Sequence, residues 1–342
     1  MDNNGRTFKP RIIDIAMQAG VSTATVDRVL NRRDVVSKKT IDRVNEAIEL
    51  LSGSSSRPRI IPSVSAGLTV DVVISKFAGF ANDLLTQGFQ ECAEEAGIKL
   101  NMIYPSEMTP QGYVSALESC LARKSSGVIL QALDHQSVRD MVGALGEAGV
   151  PVVTILTGLP GSEVLGYVGL DNRAAGRTGG LLMGRLCCRP GEVAVFTGGQ
   201  LYRSHEEREI GFRTIIRSEF SHLSILDDCV GMDDPRKNYE LAVDVLANHP
   251  NLVGLINVGG GNRGIEKALI ESGRGSVLTY VAFNLTPLTR EALLRGTLDA
   301  VIHQDMTSSA RTALSALTDL ASGRTPAFLP SKLEIIMREN VA

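Results

Sequence analysis

IIDIAMQAGVSTATVDRVLN, residues 12–31, decides how the N-terminal part of this chain is read. Ile12, Ile15, Ala16 and Ala19 recur at helical spacing, which predicts a helix over 12–19. Gly20 and Val21 form a turn, and Ser22 is placed to cap the next helix by accepting from its backbone N–H groups. That second helix, 23–31, turns Val26, Val29 and Leu30 inward. Thr23, Ala24, Asp27, Arg28 and Asn31 then share the opposite face. After Ser37, a second capping residue, a third helix buries Ile41, Val44, Ile48 and Leu51. The first unit is therefore a small three-helix head over 1–51.

Two helices joined by such a turn set the second one into the DNA major groove, its N-terminal residues against base edges. Arg28 has the fork geometry for guanine O6 and N7. Arg32, Arg33, Lys38 and Lys39 flank it and suit phosphates, which fix register without reading sequence. A plain three-helix bundle with a solvated polar face is the competing reading. Charge favours the first. Residues 1–61 carry 11 Lys+Arg against 7 Asp+Glu, and the other 281 residues carry 24 against 31. A basic head on an acidic body suits a protein whose head alone meets a polyanion.

The run from Asp14 to Asn31 resembles the signature of the lactose-repressor (LacI/GalR) family. It matches D-x-A-x-x-A-G-V-S-x-x-T-V-x-R-V-L-N at Asp14, Ala16, Ala19, Gly20, Val21, Ser22, Thr25, Val26, Arg28, Val29, Leu30 and Asn31. VSKKTIDRV (36–44) is similar to the family's third helix. The resemblance implies that Thr23, Ala24 and Arg28 read bases and that Ser22 and Thr25 contact phosphate. Asp27, Asn31, Arg32, Ser37 and Lys38 complete the DNA-facing set. Two departures stand out. Asp27 replaces the family's neutral residue and must pair with a cytosine amino group or a nearby arginine. Residues 52–67 also lack the Leu-x-x-Leu segment with which relatives wedge open the minor groove. Ile60 and Ile61 are the only substitutes there, and prolines flank them.

Residues 52–67, SGSSSRPRIIPSVSAG, are a linker by composition. Over 68–342 short apolar runs alternate with amphipathic helices. The strands expected are 70–75, 98–104, 126–131, 150–156, 166–170, 192–197, 253–258, 278–283 and 299–304. Nearly continuous apolar strands separated by helices imply parallel sheets covered on both faces, and nine of them suit two lobes. The fold class is α/β: a helix-turn-helix head plus a two-lobe body. This body resembles the type I periplasmic sugar-binding-protein fold, in which three crossovers hinge the lobes over a cleft, and 68–342 is expected to serve for both ligand binding and dimerisation.

Ligands in open α/β sheets sit beyond the carboxyl ends of the strands. Phe77, Phe80 and Asn82 follow the first strand, a pair of rings beside an amide that suits a sugar's C–H face and hydroxyls. Gln131 and Asp134 follow the third strand, and Thr154 ends the fourth. Arg208 opens R-E-I-G-F, similar to the R-x-x-G-F/W motif whose arginine grips ligand in this fold; an ion pair with Glu206 or Glu207 is the alternative. Asn284 and Gln304 match the family's polar residues at later strand ends. Asp171 and Asn172 read as a helix cap.

VGGGNRG (258–264) places Gly259, Gly261 and Gly264 as G-x-G-x-x-G between a strand and a helix, the dinucleotide fingerprint. The acidic residue that should follow to hold a ribose is replaced by neutral Asn284. The glycines instead suit close approach of backbone amides to a ligand, with Asn257 or Asn262 supplying a side-chain amide. An NAD-dependent oxidoreductase and a sugar transport protein are the rival functions. The unexplained head and the lack of a motif-placed proton-transfer His or Lys oppose the first; the head and the polar N-terminus oppose the second. The five cysteines, with Cys187 and Cys188 adjacent, show no disulfide or metal spacing, and neither metal nor cofactor is expected. The sequence thus points to a cytoplasmic, non-enzymatic transcription regulator, a homodimer without a membrane segment. It would bind pseudo-palindromic double-stranded operator DNA under control of a small sugar-like effector.

Overall fold

A computed structural model describes residues 12–19, 21, 23–30, 40–41, 43–44, 67–76, 80–199 and 202–341. The chain divides into two compact units, Met1–Ile61 and Pro62–Ala342. In the first, α1 (Ile12–Ala19) packs on α2 (Thr23–Leu30), and Thr40, Ile41, Arg43 and Val44 are also helical. Ile15, Ala16, Ala19, Val26 and Val44 form its core, with Val21 and Val29 against it. Leu30 departs from expectation at 46% exposed, as does Ile12 at 41%. Both stand at helix ends, where the packed seam runs out. Of the linker only Gly67 is described.

All nine strands read from the apolar runs are present in the second unit. The first lobe holds β1 (Thr69–Val73), β2 (Lys99–Ile103), β3 (Gly127–Leu130), β4 (Val152–Ile155) and β5 (Gly166–Val168). They form one parallel sheet in the order β2-β1-β3-β4-β5. The intervening helices are α3 (Phe80–Ala96), α4 (Pro110–Arg123) and α5 (Gln136–Glu147). The second lobe holds α6 (Asn172–Leu186), β6 (Gly191–Thr197), α7 (Arg203–Glu219), β7 (Leu223–Ile225), β8 (Cys229–Val230), α8 (Pro235–Asn248) and β9 (Leu252–Asn257). It continues through α9 (Asn262–Glu271), β10 (Thr279–Phe283), α10 (Pro287–Arg295) and β11 (Ala300–His303). α11 (Met306–Ala321) then precedes β12 (Glu334–Ile336). The second sheet runs β12-β11-β10-β9-β6-β7, with β8 on β6 and only β12 antiparallel.

β7, β8 and β12, of two or three residues each, were not among the strands expected. Burial on both faces explains why most of the others are visible, although β2 and β5 are only partly buried. Along β6, Ala194 and Phe196 enter one core and Val193 and Val195 the other, as the two-residue side-chain period requires. Four of the five cysteines are buried thiols. Among the described residues no helix is long and apolar enough to cross a membrane.

The chain passes between lobes three times. Residues 169–171 lead into α6, Gln304 and Asp305 lead back to α11 on the first lobe, and 322–333 return to β12. Hydrogen bonds tie these passages together. Leu170 N donates to Gln304 Oε1 at 3.2 Å, and Ser331 N to the Gly169 carbonyl at 2.7 Å.

α6 and α7 set the depth of the cleft. α6 reads NRAAGRTGGLLMGRL, an unusual helix because each interior glycine costs about 1 kcal/mol against alanine. Packing explains it: a Cβ at Gly176 would stand 2.0 Å from the Arg208 carbonyl oxygen, and one at Gly211 would stand 2.3 Å from that of Arg173. The two backbones are nearly in contact, and α7 carries Arg208 at that point. Gly176→Ala should therefore lower stability by about 1–3 kcal/mol, the range for overpacking. Gly143→Ala in α5, where an added Cβ meets nothing within 4 Å, should raise it by up to about 1 kcal/mol. Urea midpoints of the two variants check the opposite signs.

Candidate functional site

The carboxyl ends of both sheets face a single cleft of about 240 Å³. The first lobe lines it with Phe80, Ala81, Asn82, Gln131 and Leu156. The second supplies Tyr202, Ser204, His205 and Arg208 from α7 and the turn before it, Asp233 before α8, and the loop Gly259–Arg263. Phe283, Asn284, Thr286 and Leu288 come from the β10–α10 junction, and Gln304 from a crossover.

Arg208 organises the second-lobe wall. It is only 4% exposed. Nε donates to Asn172 Oδ1 at 2.8 Å and Nη1 to the Val258 carbonyl at 2.9 Å, while the guanidinium lies 4.3 Å from the Phe283 ring centre. Burial lowers its pKa to about 10, so it stays charged near neutrality. Asp233 lines the same wall, and its Oδ1 accepts from Gly260 N at 2.7 Å. Two buried atoms on this wall, His205 Nδ1 and Asn284 Oδ1, have no partner among the described residues. Leu156, Asp233 and Asn284 all carry left-handed backbone, with φ of 63°, 59° and 66°. Such strain concentrates where a ligand or a switch over-determines geometry.

On the first-lobe wall, Asn82 Nδ2 donates to Gln131 Oε1 at 2.9 Å and to the Ser75 carbonyl at 2.7 Å. The start of α7 bridges to this lobe at three points. Tyr202 and Tyr113 share a hydrogen bond between hydroxyls at 3.2 Å, Ser204 N donates to Thr157 Oγ1 at 3.3 Å, and Arg203 Nη1 lies 3.6 Å from Asp134 Oδ2.

Of the sequence candidates, Phe80, Asn82, Gln131, Arg208, Asn284 and Gln304 meet on the cleft. Arg208 is buried instead of pairing with its helix neighbours. Three others stand off the wall. Thr154 is fully buried in the sheet and donates to the Gly166 carbonyl. Asp134 is held by Arg139 and Arg203. Asn257 lies beneath the glycine loop, donating to the Gly260 carbonyl and Asn262 Oδ1 and accepting from Gly259 N. Phe77 lies outside the described residues. The loop's glycines have a packing reason: a Cβ at Gly264 would stand 1.8 Å from the Pro235 carbonyl oxygen. Two of the amides expected to face a ligand are engaged internally, Gly259 N by Asn257 and Gly260 N by Asp233. Asp171 caps α6 by accepting from Ala174 N at 2.8 Å. His205, Asp233 and Leu156 were missed. Nothing local marks an Asp in MDDP or a Leu at a strand end, although His205 stands one helical turn before Arg208.

In the head, α2 exposes Thr23 and Arg28, and Thr25 is half-buried. Ser22, Asn31, Arg32, Ser37 and Lys38 lie outside the described residues, as do the side chains of Ala24 and Asp27.

Burial lowers the pKa of His205, with Asp233 opposing and Arg208 assisting, and burial does the same to His303, whose Nδ1 accepts from Leu285 N. In the unfolded chain these imidazoles take up protons below about pH 6.5. The folded body takes them up only at lower pH. Within that window the unfolded state binds more protons, so stability falls as pH falls. In thermal unfolding from pH 7.5 down to 5, the midpoint of His205→Gln should fall less with pH than that of the parent. An unchanged slope in that variant would show that His205 does not contribute.

Residues 72–325 match the periplasmic binding protein domain, and residues 11–52 match the bacterial regulatory proteins of the lacI family. Catabolite control protein A of Staphylococcus aureus (strain MRSA252) is 24% identical over 250 residues, covering 71% of this chain and 72% of the relative. The form from Staphylococcus xylosus is 27% identical over 204 residues, 57% of each chain. Among solved structures, a glucose-galactose binding protein from Geobacillus stearothermophilus aligns with a TM-score of 0.74 at 22% identity, over 80% of this chain and 98% of its own. A solute binding protein from Burkholderia graminis, in complex with D-arabinose, aligns at 0.75 and 23% identity, over 81% and 97%. These likenesses fix the fold of the body. The chain belongs to the periplasmic-binding-protein family and, by the DNA-binding domain that precedes that body, to the lacI family of bacterial regulatory proteins.

Proposed function

We propose that this regulator binds a pseudo-palindromic operator as a homodimer in the cytoplasm, and that a small sugar or sugar derivative in the cleft sets its affinity for that DNA. Its work is binding, not turnover. The observation that carries the reading is one chain holding both a DNA-binding head and a cleft whose wall groups an arginine, a carboxylate and amides. Arg208, Asp233 and Asn284 offer the mixed donors and acceptors that hydroxyls need. Phe80 and Phe283 offer faces for C–H surfaces. Sugar specificities of the solved relatives and the name of the curated one support this assignment.

The effector acts by stabilising one arrangement of the lobes over another. To switch occupancy it must prefer that arrangement by a few kcal/mol, of order 100-fold. The contacts made by Tyr202, Arg203 and Ser204 cross the gap that such a change must open, so they take part in the equilibrium.

Binding of the purified protein to its own promoter fragment at low ionic strength, with and without sugars, tests the reading. Indifference to DNA under every condition would remove it. Arg28→Ala should weaken specific operator binding by about 1–3 kcal/mol and leave effector binding intact. Arg208→Ala should abolish the response to effector while operator binding persists in gel-shift titrations; full inducibility in that variant would move the pocket elsewhere.

A further inference from the structure

Among the described residues, every ionisable side chain on the cleft wall comes from the second lobe: Tyr202, His205, Arg208, Asp233 and Arg263. The first lobe offers Phe80, Ala81 and Leu156 beside two amides that bond to each other. Leu156 is the odd member. It follows β4 with a φ of 63°, which a bulky side chain rarely adopts. The following Thr157 N donates back to the Ile155 carbonyl at 2.7 Å, closing a γ-turn about Leu156 of the rare, strained hand.

A network holds that strain in place. Leu156 N donates to the Val168 carbonyl at 2.9 Å. The Tyr167 hydroxyl lies 3.1 Å from the Leu156 carbonyl and 3.0 Å from that of Leu170, donating to one or the other, and accepts from Asn172 Nδ2 at 3.0 Å. Asn172 in turn accepts from Arg208 Nε at 2.8 Å. The same chain of bonds that positions the buried arginine thus fixes the leucine on the opposite lobe.

We infer that Leu156 determines effector specificity, and that the effector is a deoxygenated sugar or polyol, hydroxylated on the edge facing the second lobe and bearing C–H or methyl on the edge facing Leu156. A hydroxyl pressed against a leucine loses its water without gaining a partner, and that penalty rejects the fully oxygenated analogue. This rests on the sugar-effector reading above and narrows it.

The test uses the full-length protein and pairs of sugars that differ by one oxygen: rhamnose and mannose, fucose and galactose, each of matched hand, 6-deoxyglucose and glucose, and 2-deoxyribose and ribose. Calorimetric titration should find a pair whose deoxy member binds about tenfold tighter or more. Leu156→Asn, with a residue that tolerates left-handed backbone and supplies an amide, should fold and shrink or reverse that ratio. Leu156→Gly, which fits the left-handed backbone but removes the buried leucine side chain, should also lose the discrimination. Equal binding of both members of every pair that binds, or an unchanged ratio in Leu156→Asn, overturns this inference and leaves the sugar reading standing. No binding by any member overturns both.

Discussion

A guanidinium removed from water needs hydrogen bonds and countercharge from every side, and the body of this protein is arranged around meeting that need for Arg208. Its partners come from elements far apart in sequence: Asn172 from the first crossover, the Val258 carbonyl from the end of β9, and the Phe283 ring from the end of β10. Asp233, near enough to favour its charge, comes from the approach to α8. None of these groups reaches the arginine unless α7 lies close on α6. The glycines of α6 accept the loss of helix propensity so that two backbones can approach to that degree. The cation therefore reports on the assembly of the whole second lobe.

Much of this was legible from residues in order. Strands buried on both faces write themselves as apolar runs, and most of the nine expected strands are of that kind. Also legible was the rule that ligands sit at their carboxyl ends, which brings Asn82, Gln131, Asn284 and Gln304 to one cleft. The same rule fails by a residue or two at Thr154 and Asn257. Both stand at strand ends, yet one side chain points within the sheet and the other props the glycine loop. Side-chain direction at a strand's last residue depends on how the chain leaves it, and a run of apolar letters does not encode that. The G-x-G-x-x-G spacing is the clearest case. Its last glycine is required by the closeness of α8 and α9, so packing accounts for a spacing that cofactor binding also uses. His205, Asp233 and Leu156 were invisible because their significance is positional: His205 matters through Asp233, Asp233 through Gly260, and Leu156 through Tyr167 and Val168.

The two lobes differ in kind. The second is a charged, densely hydrogen-bonded surface whose geometry follows from Arg208. The first is largely apolar where it meets the cleft, and its polar groups satisfy one another. A ligand that bridges them must present unlike edges, and closure over it removes water from both at once. Hydrogen bonds to a charged partner are stronger than neutral ones, so the second lobe supplies grip. The apolar lobe supplies rejection, because a misplaced hydroxyl there has no compensation.

That division bears on how a signal is generated. The crossovers join the lobes through Gln304, which accepts from Leu170 N, and through Asn172, which bonds to both Tyr167 and Arg208. Any ligand that draws on Arg208 also pulls on Asn172, and through it on the γ-turn of the opposite lobe. The start of α7 already touches the first lobe through Tyr202, Arg203 and Ser204, and its second turn presents Arg208 to the cleft. One helix thus carries both the contacts that oppose lobe separation and the buried charge on the cleft wall. A single rigid element serving both purposes makes lobe position and occupancy one equilibrium, and an equilibrium of that kind is what a ligand must bias to control a DNA-binding head.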